Sequence, residues 1–324
     1  MSGAFDLLIV GDANPDVVLH GAPEKLAYGQ AEQLVAGGAL AVGGSAGIMA
    51  CAAARLGLRT AFVSITGDDA AGRFMREELA LRGVDVSGVS VRADLATGIT
   101  VALARDDDRA IVTFPGGMDQ LTADMIDDDL VHAARHVHVS SFYLHPQLAS
   151  GLRSLFEVAH TCGAGTSLDL NWDPAELWDN GLADVLPAVD VLFANAGEAA
   201  AVSGAADPAV AATVLAARGP LPVIKLGAAG ALTHDGCRLM RVSAPAVPVV
   251  DTVGAGDTFD AGFLCGRLLG WEVSRSLALG VACGSLSVGG AGGVGAQPTL
   301  KEALTMFEGL LFPWGNSADP ECTR

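Results

Sequence analysis

The chain has 324 residues, 51% hydrophobic and 17% charged, enough to bury a large α/β core and the wrong balance for a disordered chain. Its 19 basic residues face 37 acidic ones, a net charge of −18 that excludes nucleic acid and anionic membranes as partners. Any phosphate must then be held locally, by backbone amides, a metal ion or a few placed cations.

Leu7-Leu8-Ile9-Val10-Gly11 is an apolar run ending in glycine, as a buried strand does. Asp6 breaks the apolar N-terminal stretch just before this run and no basic segment precedes it, so no secretory leader is expected and the cytoplasm is the expected compartment. Residues 12–37 follow as short strands and turns without a helix. Residues 45–56 are small and helix-compatible, with Gly57 as a stop. A strand over 60–65 and a helix over 70–81, stopped by Gly83, come next. Residues 91–118 again lack a helix. There, 97–104 and 109–114, joined through Asp106-Asp107-Asp108, have the pattern of a hairpin. Strand and helix signals then alternate: strand 136–141, helix 147–161, strand 166–170, strand 190–194, helix 208–218, strand 222–226, helix 257–269. That rhythm predicts one α/β domain over 1–324, a mostly parallel sheet flanked by helices. The excursions at 12–37 and 91–118 predict a small β-rich lid over the strand ends. The tail after Pro313 reads as short, polar and frayed.

Two uncharged stretches, 33–54 and 276–300, exceed the ~20 residues a membrane helix needs. Clusters such as Gly43-Gly44-Ser45 and Gly289-Gly290-Ala291-Gly292-Gly293 break them, which predicts buried helices with glycine loops instead. The six cysteines have no zinc spacing and are expected to be buried free thiols. His136 and His138 point the same way on a strand, but two ligands without a third do not make a metal site.

The chemistry concentrates in 249–263. Gly254, Ala255 and Gly256 lie just before a helical run, where glycine lets backbone N–H groups turn inward and the helix start adds unpaired amides. That is an anion hole. A carboxylate inside it, Asp257, is ill placed for phosphate binding alone. It makes sense as a base that takes a proton from a hydroxyl attacking a phosphate held by those amides. The bland alternative is that Asp257 caps its helix. Lys225, one of only three lysines, sits in the apolar run Val223-Ile224-Lys225-Leu226, and must reach an anion or snorkel to water.

Residues 251–260 resemble the D-T-x-G-A-G-D-x-F signature of ribokinase-like (PfkB-type) carbohydrate kinases, with Thr258 where alanine is common. Gly43-Gly44-Ser45-Ala46-Gly47 resembles the family's N-terminal glycine signature, and Asn14 and Asp16 its N-x-D. Asn195-Ala196-Gly197-Glu198 is similar to its N-x-x-E, and 225–230 to its nucleotide-contacting glycine loop. The order matches across nearly the whole chain.

The resemblance implies a ribokinase-like fold and ATP-dependent phosphorylation of a sugar hydroxyl, with Asp257 as base and the 254–256 amides beside it. It places the acceptor at Asn14, Asp16, Gly43, Gly44, Ser45 and Asp257. Nucleotide falls at Asn195, Glu198, Lys225, Gly227, Gly230, Gly254 and Gly256. Mg²⁺ is implied near Glu198 through phosphate or water, a monovalent cation such as K⁺ near Asp251 and the 286–295 loop, and a homodimer through the lid. Departures narrow the acceptor. Ile48 and Val281 stand where many members carry asparagine, and ribokinases proper have lysine at Ser45. Asp169-Leu170-Asn171-Trp172 replaces the N-x-R of sugar-acid kinases, with Trp172 in place of the cation, which favours a neutral acceptor. A nucleoside kinase, with Tyr28, Phe114 or Tyr143 under the base, and a regulator that binds sugar or nucleotide without catalysis are the alternatives.

Overall fold

The structure is a computed structural model and describes residues 3–105 and 108–311. Its elements are, in chain order, β1 (Leu7–Val10), β2 (Pro15–His20), β3 (Gly37–Val42), α1 (Ser45–Arg55), β4 (Thr60–Gly67), α2 (Ala70–Leu81), β5 (Asp85–Arg92), β6 (Ile99–Arg105) and β7 (Asp108–Phe114). The second half runs α3 (Asp128–Ala133), β8 (His136–Val139), α4 (Pro146–Thr161), β9 (Gly165–Asp169), α5 (Leu182–Val185), β10 (Val191–Asn195), α6 (Ala196–Ser203), α7 (Pro208–Ala216) and β11 (Leu221–Lys225). It closes with β12 (Ala231–His234), β13 (Leu239–Val242), α8 (Ala255–Leu268), α9 (Val273–Ser287) and α10 (Leu300–Leu311).

Nine strands form one sheet in the order β13-β12-β11-β10-β9-β8-β1-β4-β5. From β11 to β5 every pair is parallel, and β12 and β13 add an antiparallel edge. The sequence dictates this directly. Every residue of β1 and β4 is buried, as continuous apolar runs covered on both faces must be. Alternate β1 side chains feed two cores. Leu8 and Val10 join Leu152 and Phe156 of α4, while Leu7 and Ile9 join Met49 of α1, Phe263 of α8 and Leu279 of α9.

Four strands form a second sheet, β3-β2-β6-β7, with β2 and β6 parallel and the outer pairs antiparallel. Its third strand runs to Val42, past the segment 12–37, and Val91 and Arg92 belong to the large sheet through β5. The register puts Val17, Leu40, Val101, Val112, Ile99 and Phe114 on one face, and Asp16, Val18 and Ala102 on the other. The second group is buried, whereas Leu40, Val112 and Phe114 are more than half exposed. β6 and β7 form the expected antiparallel pair; Asp106 and Asp107 of its connection, and the tail after Pro313, lie outside the described residues.

The stretch 33–54 divides into β3 and α1, and 276–300 into the body of α9 and the loop after it. Among the described residues no single helix is long and apolar enough to cross a membrane. The cysteine expectation needs correction. Cys51, Cys265 and Cys283 are buried free thiols, but Cys162 is free and exposed, and Cys237 is disulfide-bonded.

Candidate active site

Strands β1, β8 and β9 end together, and their C-terminal ends carry the first group of polar residues. Asp12, directly after β1, is buried and accepts from the Ser45 and Ala46 amides at 2.9 and 3.1 Å and from the Ser141 hydroxyl at 3.1 Å. It thus satisfies the start of α1, which has no cap of its own. The glycines before α1 are there for the acids. Gly44 holds φ at 72°, and a Cβ on it would come 2.7 Å from Asp12 Oδ2. A Cβ on Gly43 would come within 1.9 Å of Asp16 Oδ1. Asn14 donates to the Thr100 hydroxyl at 2.8 Å, and its buried Oδ1 has no partner. Ser141 and Asn171, each in the left-handed region, meet across the floor of this end at 3.2 Å. Strained residues clustered at strand ends are a mark of function.

The 254–256 turn lies alongside. Gly254 takes φ of 72° and starts α8 without a side-chain cap, so the first-turn amides face outward as the anion hole requires. A Cβ on Gly254 would meet the Gly293 carbonyl oxygen at 2.7 Å and Ile48 Cγ2 at 2.8 Å. Ile48 therefore backs the turn by packing. The N-cap of α8 is Gly254, which offers no side chain, and Asp257 is the acid of the helix's first turn. Burial pushes its carboxyl up to about 7; Lys225 opposes that shift, while Asp169 and Asp12 reinforce it and the Ser45 hydrogen bond resists it.

Lys225 ends β11 and is neither snorkelling nor free. Its Nζ donates to Asp169 at 2.6 Å and Asp260 at 2.9 Å, and lies 5.9 Å from the centre of the Phe193 ring. Burial works against the ammonium, yet Asp169, Asp260, Glu198 and Asp257 hold it well above its ordinary value. Burial drives Asp260 strongly toward its protonated form, and Asp169, which burial also penalises, is kept low by Lys225. Burial and Lys225 thus pull the two carboxyls apart, Asp260 upward and Asp169 downward. Next door, Asn195 and Glu198 form a capping box at the start of α6: Asn195 Oδ1 accepts from the Glu198 amide at 2.9 Å and Glu198 accepts from the Asn195 amide at 2.8 Å. Glu198 is buried, which lifts its carboxyl to about 7, aided by Asp169 and opposed by Lys225.

The predicted residues thus fall into two adjoining groups. Asp16, Gly43, Gly44, Ser45 and Asp257 gather around Asp12; Asn195, Glu198, Lys225 and Gly256 gather around Asp169. A Cβ on Gly256 would come 3.4 Å from Lys225 Nζ, so the anion hole sits over the lysine. Gly227 and Gly230 close the short turn after Lys225, where Leu226 and Gly230 amides bond at 2.8 and 2.9 Å. Asp251 staples two loops, accepting from the Val253 and Gly292 amides at 3.0 and 2.9 Å. Val281 is buried in α9. Counted along N-x-R, the arginine position is Asp173 rather than Trp172; Asp173 is buried and accepts from the Ala175, Leu177 and Trp178 amides. Sequence reasoning missed Asp12, Ser141 and Asp260, although Asp12 and Asp260 stand within the quoted motifs' immediate neighbourhood.

Comparison with known proteins fits this geometry. Residues 4–300 match the family described as pfkB family carbohydrate kinase. The fructoselysine 6-kinase of Shigella flexneri is 31% identical over 258 residues, 76% of this chain and 89% of that protein. The ATP-dependent ribose-1-phosphate kinase of Halopiger xanaduensis is 30% identical over 284 residues, 87% of this chain and 92% of that protein. Among solved structures, Arabidopsis thaliana ribokinase, complexed with ribose and ATP, superposes with a TM-score of 0.82 at 25% identity, covering 95% of this chain and 99% of that one.

Proposed function

The chain belongs to the pfkB family of carbohydrate kinases, and on that premise we propose that it transfers the γ-phosphoryl group of ATP to a hydroxyl of a small neutral sugar, with Asp257 as general base. The observation that carries this reading is the place of Asp257: a carboxyl in the first turn of α8, at a helix start with no side-chain cap, lifted to about 7 by burial. The acceptor oxygen attacks the γ-phosphorus as its proton passes to Asp257. The bond from that phosphorus to the β-phosphate oxygen breaks, and ADP leaves. The amides of 254–256 hold the charge that spreads over the transferring group.

Asn14, Asp16, Gly43, Gly44 and Ser45 would hold the sugar. A neutral acceptor suits a site with Asp12, Asp16, Asp169 and Asp257 around it, whose nearest cation, Lys225, is already shared between two acids. ATP would run along Asn195, Glu198, Lys225, Gly227 and Gly230. Among the described residues no group of three or more His, Cys, Asp or Glu could hold a metal unaided. Glu198 would hold Mg²⁺ brought in on the nucleotide's phosphates, and the ion would supply neutralisation of the phosphate charge. A monovalent cation would lie in the 286–295 loop, which Asp251 ties to the anion-hole turn.

The small sheet would act as a lid, and its outward apolar face, carrying Leu40, Val112 and Phe114, fits a second copy of the chain in a cytoplasmic homodimer. A coupled ADP-release assay across neutral sugars, phosphosugars and nucleosides tests the activity. Turnover on a neutral sugar, lost in Asp257→Asn, is the expected result. Turnover on nucleosides or phosphosugars alone would overturn the acceptor class, and silence on every acceptor would leave a binding-only regulator.

A further inference from the structure

The kinase site occupies the C-terminal ends of the strands. At the opposite end of the same sheet lies a cavity of about 770 Å³, within the size range of small-ligand pockets. Its lining includes His132, Arg135, His136, Cys162, Asp190 and Arg267.

Two side chains there are unspent. Arg267, in the last turn of α8, donates to the Trp271 carbonyl at 2.5 Å, but among the described residues no carboxylate pairs with it. Arg135, by contrast, is held by Asp6 at 3.1 Å. In a chain of net charge −18, an arginine that faces a cavity with no carboxylate paired to it among the described residues is unusual. His136 is only 8% exposed; its Nε2 bonds the Ser167 hydroxyl at 2.8 Å, and its Nδ1 has no hydrogen-bond partner among the described residues. Gly165, also on the cavity wall, keeps that nitrogen clear: a Cβ there would come 2.7 Å from His136 Nδ1. Asp190, on the same wall, is anchored through Oδ2, which accepts from the Thr166 amide at 2.8 Å and bonds His160 at 3.1 Å.

We propose that this cavity is a second ligand site, which takes a small oxyanion, a phosphate or a carboxylate, paired with Arg267 and accepting a hydrogen bond from His136 Nδ1–H.

Such a ligand has a consequence inside the core. Ser167 Oγ also bonds His138 Nδ1 at 2.7 Å, and His138 Nε2 bonds Ser140 Oγ at 2.9 Å. Burial keeps both imidazoles neutral, each pushed down to about 3. A neutral imidazole carries one N–H and a hydroxyl one O–H, so fixing the tautomer of His136 fixes the direction of the bonds that follow it. An oxyanion at His136 Nδ1 requires that nitrogen to donate. Ser167 then donates to His136 and accepts from His138, and Ser140 donates to His138. The chain of protons ends at Ser140, next to Ser141, whose hydroxyl serves Asp12.

Cys162 reports occupancy, because it is the exposed free thiol among the described cysteines and lies on the cavity wall. The full-length protein, with its kinase site saturated by Mg²⁺ and a non-hydrolysable ATP analogue, is alkylated with iodoacetamide, and Cys162 is followed by peptide mass spectrometry. Inorganic phosphate or malonate is titrated in; the pair separates a phosphate ligand from a carboxylate one. At ten times Kd a bound anion should slow Cys162 alkylation about ten-fold. Arg267→Gln should abolish protection and leave nucleotide binding unchanged. ¹⁵N spectra of the histidines should show the Nδ1–H tautomer of His136 in the bound state. No protection by either anion, protection that survives Arg267→Gln, or the other tautomer in the bound state would each overturn the proposal.

Discussion

The Lys225 ammonium lies 2.6 Å from Asp169 Oδ2 and 2.9 Å from Asp260 Oδ2, so three segments that are distant in sequence share one buried charge. The pair is nearly closed to solvent, and Asp260 Oδ1 has no partner of its own. Such a cluster contributes definition to a site more reliably than stability.

Removing the lysine alone should therefore be costly. Lys225→Met leaves a buried carboxylate uncompensated, and should destabilise the protein by about 3–5 kcal/mol, read as a lower urea midpoint. Adding Asp169→Asn to it should restore much of the loss. Equal midpoints for the wild type and Lys225→Met would refute the charge-sharing account.

Asp257→Asn should lower kcat by about 10²–10⁴-fold on the true acceptor while leaving nucleotide affinity nearly unchanged or slightly better. Background ATP hydrolysis is not a substitute assay, because water is a different acceptor. A folded, nucleotide-binding variant with wild-type kcat is incompatible with the base assignment.

The raised carboxyl also sets the pH response. Activity should rise as pH climbs through about 7, where Asp257 becomes ionised. Stability runs the other way. The folded-state value is above the ordinary aspartate value of ~3.9, so between the two the folded state binds more protons, and stability contributed by this group falls as pH rises. Without ligands, Asp257→Asn should raise Tm by a few degrees at pH 8 and change it little at pH 4. A variant less stable than the wild type at pH 8 would contradict the burial argument. Glu198, also lifted to about 7, adds to the slope in the same sense.

Asp16 comes from the small sheet, whereas Asn195 and Lys225, proposed to meet the nucleotide, end strands of the large one. Asp16→Ala should raise KM for the acceptor several-fold more than KM for ATP. The reverse pattern would move Asp16 out of the acceptor site.

Six strands of the large sheet were legible as apolar runs, as in Leu7–Val10, whereas its edges β5, β12 and β13, mixed in polarity and partly exposed, were not. The small sheet was less so. Its strand Gly37–Val42 reads Gly-Gly-Ala-Leu-Ala-Val, uncharged and small, which fits a helix start as well as a strand until Pro15–His20 pairs with it. Gly254–Asp257 stood out because glycine beside an acid at a helix start is a local signal. The partners of Lys225 were invisible, since Asp169 and Asp260 lie 56 and 35 residues away and meet it only once β9, β10 and β11 are side by side. Asp12 and Ser141 are hidden in the same way, joined across adjacent strands β1 and β8. Local chemistry shows in a sequence; pairing that depends on strand order does not.

The turn at Gly254 is backed by Ile48 from the first helix and by the Gly293 carbonyl from the loop after α9. Translation delivers these pieces at different times: Ile48 early, the turn late, and Gly293 later still. A nascent chain that has exposed Asp257 but not yet Gly293 holds the glycines of the turn without the wall that sets their shape, so the turn can take its folded form only after the loop following α9 has been made.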